Sequence, residues 1–169
     1  WINLPAKEKM KLAGYQDIQA DQIPVVEMSD GRKVKVIAGR LSDGDDVIEG
    51  PVKGVTTDPI FFDVHLPARA QFVHKVPQEH SSYLYVYEGG LCAEPGTSLS
   101  TALPMRYGGV LGPGEEIVVQ ATDVPTRFLL LAAMPLKEPV VQLGPFVMNT
   151  REEIEQAVYD YQHNQLVSV

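Results

Sequence analysis

The 169 residues hold a single cysteine, Cys92, so no disulfide can close within the chain. A chain of this size without one suits a reducing compartment, and a cytoplasmic location is the expectation. Long apolar runs are also missing. The longest, Phe128 to Leu136, falls well short of the roughly 20 residues that cross a bilayer as a helix, so no membrane partner is expected. Positive charge is scarce: 14 Lys and Arg stand against 22 Asp and Glu, for a formal net charge of −8. The densest basic group, Arg32, Lys33 and Lys35, alternates along what reads as one strand. A phosphate backbone requires clustered positive surface, so direct nucleic-acid binding is excluded from the expected functions. The opening Trp1-Ile2-Asn3-Leu4 shows no initiator methionine, no basic leader and no small-residue cleavage site. It reads as a chain cut within a longer fold.

With 44% hydrophobic residues, the chain has enough apolar surface for one sizeable core. Runs of strand length, rich in apolar and β-branched residues, recur between Gly, Pro and Asp punctuation. They span Ile23 to Glu27, Val34 to Ala38, Ile60 to Leu66, Tyr83 to Tyr87, Ile117 to Ala121, Arg127 to Ala133 and Val140 to Leu143. Alternation in Lys33-Val34-Lys35-Val36 and in Tyr83-Leu84-Tyr85-Val86-Tyr87 gives each strand one core face and one more polar face. This is an antiparallel all-β pattern. Gly89-Gly90 and the glycines from Gly108 to Gly114 read as turns. One helix is predicted. Thr150 caps it, Glu153 completes the capping box, and Ile154, Ala157, Val158 and Tyr161 form an apolar stripe running to about Gln162.

The segment Gly144-Pro145-Phe146-Val147-Met148-Asn149-Thr150, followed by Glu152-Glu153-Ile154, resembles the C-terminal signature of the pirin family. Trp1-Ile2-Asn3-Leu4-Pro5, with Lys7, Lys9-Met10 and Tyr15-Gln16, resembles the passage between the two domains of a pirin. The resemblance implies a cupin, or jelly-roll, antiparallel barrel with a C-terminal α-helix. Residues 1–15 would then be an exit segment from a preceding cupin domain, 16–149 the C-terminal barrel, and 150–163 a helix packed on it. Pirins are similar to one another in carrying a metal, usually iron, in the first cupin, held by a His-x-His pair and a later His-x-Glu pair. Neither motif occurs here. Iron is therefore expected in the preceding domain, and no cofactor, metal or catalytic residue in this chain.

A cupin metal box requires imidazoles and a carboxylate on neighbouring inward positions. Counting back from Glu88-Gly89 places His74, Val76 and His80 at those positions, and counting on from Gly114 places Ile117 at the last. Two apolar positions among four would leave at best a weak site, so His74 and His80 read as surface or hydrogen-bonded histidines. His65 shares a strand face with Phe61 and Asp63 and reads as a satisfied structural histidine, and His163 lies where it complements the helix C-terminus. Asp43-Gly44-Asp45-Asp46 lacks calcium-loop spacing and reads as a solvated turn. Glu115 and Glu116 are strand-edge charges pointing to opposite faces. Cys92 has no basic neighbour and reads as a small buried residue, and Tyr83, Tyr85 and Tyr87 as cross-strand packing rather than a ligand stripe.

The expected function follows. The chain is a metal-free C-terminal cupin acting as scaffold and contact surface for its N-terminal partner domain, the complete protein resembling an iron-dependent quercetin 2,3-dioxygenase. The alternative is an interaction module for a regulatory protein, as in transcription co-regulation, or for a metabolic enzyme, with no catalytic role.

Overall fold

The computed structural model describes residues 1–166, and these form two compact units. The larger, Ile18–Pro135, carries twelve strands. Six of them, β1 (Val25–Glu27), β2 (Lys33–Ala38), β5 (Ile60–Leu66), β7 (Ser81–Glu88), β10 (Gly108–Val110) and β12 (Thr126–Ala133), build one sheet in the order β1-β2-β5-β12-β7-β10. Strands β6 (Gln71–Lys75), β8 (Gly90–Ala93), β9 (Thr101–Pro104) and β11 (Glu116–Ala121) build a second in the order β6-β11-β8-β9. A separate hairpin joins β3 (Arg40–Asp43) to β4 (Asp46–Glu49). All ladders between these strands are antiparallel.

Period-two patterning decides which side chains meet. On β5, Ile60, Phe62, Val64 and Leu66 face inward and are buried, while Phe61, Asp63 and His65 face out. The inward residues of both sheets form one core, in which Phe62, Phe72, Phe128, Leu84, Leu91, Leu130 and Val119 are almost wholly buried. Each such side chain contributes roughly 1.5–3 kcal/mol by leaving water.

All seven strands expected from the sequence form, with ends shifted by a few residues. Gly108–Val110, read above as turn, is instead the edge strand β10, paired with Tyr83–Tyr85. The Tyr83 ring lies over Gly108, where a Cβ would stand 1.8 Å from the hydroxyl and would have to displace that side chain. Strand β6 was not anticipated, because its second inward residue is a histidine, which breaks the apolar alternation. Gly89, at the corner between β7 and β8, has φ +74° and a Cβ direction blocked at 2.5 Å by the Pro125 carbonyl. Gly89→Ala is therefore expected to destabilise the chain by about 2 kcal/mol or more, read as a lowered midpoint in urea unfolding.

The second unit combines Trp1–Asp17 with the chain from Leu136 onward. Here β13 (Val141–Leu143) pairs with β14 (Phe146–Met148), and α1 (Arg151–Gln162) follows. The capping box forms as read: Glu153 N–H donates to Thr150 Oγ1 at 3.2 Å, and Thr150 N–H to Glu153 Oε2 at 3.0 Å. Ile154 and Ala157 are buried, and Tyr161 meets Phe146 edge to face at 5.8 Å. His163 is the C-cap residue, its Nδ1 2.7 Å from the Tyr159 carbonyl. Lys9 Nζ donates to Asn3 Oδ1 and to the Val147 carbonyl, and Glu138 accepts from Ala6 N–H and Asn149 Nδ2. The two segments that carried the family resemblance are thus tied to each other.

Candidate functional site

The interior of the larger unit is where a cupin would hold its metal. His74 projects inward from β6 and is buried, with Phe62 edge-on at 4.9 Å and Phe72 stacked at 6.2 Å. No protein group reaches its buried Nε2. Burial among hydrocarbon disfavours the charged imidazolium, so its pKa is lowered from the ordinary 6.5. The folded state therefore binds fewer protons at this residue than the unfolded state. Stability is whole above about pH 6.5 and falls as pH drops below it. His74→Leu is expected to remove that part of the acid sensitivity, which melting curves between pH 7.5 and 5 would show.

Val76, two residues on, is buried, and its backbone N–H donates to the Glu115 carbonyl at 2.9 Å. Ile117, also buried, lies on β11 directly across from His74. Position 74 thus has hydrocarbon both two residues on and across the ladder, where a metal would need nitrogen or oxygen. His80 lies in the turn before β7, where its backbone N–H bonds the Pro77 carbonyl and its Nδ1 is buried without a partner. Among the described residues, no group of three or more His, Cys, Asp and Glu is placed to hold a metal ion. The donor set does not fit iron.

Val76 and Ile117 instead line a cavity of about 330 Å³ at one end of the core, with Leu103, Leu111 and Val119. The segment from Gly109 to Gly114 forms part of its wall. This cavity was not foreseen. Its one signal in the sequence is the glycine-rich run Gly109 to Gly114, which serves as turn and as part of the cavity wall.

A second constellation lies on the outer face of the six-stranded sheet. Tyr87 Oη donates to Asp63 Oδ1 at 2.6 Å, and His65 Nε2 lies 3.1 Å from the same oxygen and 3.2 Å from Oη. Lys35 Nζ approaches the other Asp63 oxygen at 3.7 Å. Burial first, and then the hydrogen bond to the carboxylate, pushes the Tyr87 pKa up, so the phenol stays protonated and donating. Asp63 and His65 were legible as neighbours on one face. Tyr87 was not, because it reaches them across β12, beside the register shift at Arg127–Phe128.

The remaining candidates separate. Asp43 and Asp46 close the β3–β4 hairpin, Glu115 and Glu116 are exposed, and the half-buried Cys92 Sγ lies 3.0 Å from Ser100 Oγ. Tyr83, Tyr85 and Tyr87 are on the outer sheet face and do not line the cavity.

The family model of the pirin C-terminal cupin domain matches residues 61–167. The chain belongs to the pirin family. It is 42% identical to a pirin-like protein of Caulobacter vibrioides, over 96% of this chain and 55% of that one. It is 35% identical to human pirin, over 96% and 54%. A Pseudomonas aeruginosa protein with a provisional quercetin 2,3-dioxygenase name is 44% identical, over 95% and 55%. The crystal structure of a quercetin 2,3-dioxygenase from Acinetobacter baumannii superimposes with a TM-score of 0.85 at 30% identity, covering 99% of this chain and 56% of that one. The cupin fold is thereby shown. The chain spans about half the length of these pirin relatives. Among its described residues, no helix is long and apolar enough to cross a membrane.

Proposed function

We propose that this chain is the metal-free C-terminal cupin of a pirin-like protein, acting as scaffold and contact surface for an iron-bearing N-terminal cupin. In this reading the complete protein is a quercetin 2,3-dioxygenase-type oxidoreductase of the cytoplasm. The observation that carries the reading is the hydrocarbon at Val76 and Ile117, where a cupin metal site would place donors. Support for a contact role comes from the smaller unit, in which Trp1, Met10, Leu12 and Tyr15 are 86%, 59%, 73% and 90% exposed. Trp1, Met10 and Leu12 line, with Phe146 and Met148, a groove of about 670 Å³. Exposed apolar surface of this kind marks interaction sites.

The test is to compare the isolated chain with the full-length protein for iron content and quercetin oxidation. Iron and activity are expected only in the full-length form, and Leu12→Asp with Trp1→Ser is expected to weaken the association of separately expressed halves. Quercetin oxidation by the isolated chain would overturn the reading.

An interaction module for a regulatory or metabolic protein would use the same exposed surface. Partner capture from lysate separates the two, since capture by this half alone, with or without the full protein's metal, favours the module.

A further inference from the structure

We infer that the cavity beside Val76 and Ile117 is a binding site for a small uncharged aromatic molecule of one or two fused rings. The inference is independent of the scaffold reading, which assigns the cavity no ligand. At about 330 Å³ the cavity lies at the small end of ligand sites, too small for an extended multi-ring molecule. Its inner wall is hydrocarbon from both sides of the ladder: Val76, Ile117 and Val119 from the β6–β11 side, and Leu103 from β9. Such a wall offers dispersion contacts to a ring face and no partner for a buried charge.

Charge narrows the class further. Among the described residues, no Lys, Arg or His lines the cavity, and its only ionisable side chains are Glu94 and Glu116. An anion would find no counter-ion and two carboxylates of like sign. One feature of the rim points to an occupant: Leu99 stands there 73% exposed, apolar surface that a seated ring would remove from water.

Indole and indole-3-carboxylate, two probes that differ in charge, test the assignment on the whole chain by saturation-transfer NMR and titration. Indole is expected to bind, with the carboxylate weaker by about tenfold or more through like-charge repulsion. Ala93→Leu, which fills the cavity, is expected to abolish indole binding. Because an overfilled wall could also unfold the chain, the second variant is Leu99→Ser at the exposed rim. It is expected to weaken indole about threefold to tenfold with the fold intact, through lost apolar contact. Absence of saturation transfer to indole at millimolar concentration would overturn the assignment. So would equal binding of the carboxylate, or unchanged indole binding in folded Leu99→Ser.

Discussion

Replacing Val76 and Ile117 together by histidine is expected to raise the chain's affinity for Co²⁺ or Zn²⁺ by about a hundredfold or more, since each lost ligand or ligand support costs about that much at a metal site. The geometry favours convergence. Position 76 follows His74 by two residues on the same inward side, and position 117 is the cross-strand partner of His74 in the β6–β11 ladder. Directly opposed side chains in a ladder stand within reach of a shared ligand. Val76→His alone supplies only a two-nitrogen site and is expected to bind weakly. Adding His74→Ala to the double substitution is expected to cancel the gain. The visible absorption of bound Co²⁺, which depends on its coordination geometry, reads all three variants, and near-UV circular dichroism checks that each remains folded. No gain in a folded double variant would mean that these positions do not converge as a cupin site does.

Phe62→Ala is expected to destabilise the chain by about 3–5 kcal/mol, the range for deleting a fully buried aromatic side chain. Phe62 is 0% exposed and central to the larger sheet: its cross-strand partners are Val36 on β2 and Leu130 on β12, and both are themselves wholly buried. Its ring also stands edge-on to His74. The variant therefore opens a void beside the imidazole. Phe61→Ala, on the outer face of the same strand and only half-buried, is the comparison: its loss in urea unfolding should be much smaller.

These contrasts show what the sequence made legible. Strand β5 announced both of its faces, because seven residues of clean alternation leave no other way to bury Phe62 and Val64 together. The capping box from Thr150 to Glu153 was equally plain, since its partners lie three residues apart and need no tertiary context. The metal-site positions were read by counting from glycines, and the structure places Val76 and Ile117 in one cavity wall. What stayed hidden depends on pairing distant strands. Tyr87 meets Asp63 only because β12 inserts between β5 and β7, an order set by the barrel rather than by any local pattern. Likewise Gly108 looked like turn chemistry, whereas it lies in edge strand β10, under the Tyr83 ring of the neighbouring strand.

Hydrocarbon at Val76 and Ile117 is expected to leave this half of a pirin-family protein without a metal of its own. Elemental analysis of the isolated chain, purified after growth in iron-replete medium and dialysed without chelator, tests it most directly. The account predicts iron far below one atom per chain, and the same for zinc, manganese and copper, because a lone imidazole among phenylalanines holds none of them tightly. About one iron per chain, lost on His74→Ala, would contradict it.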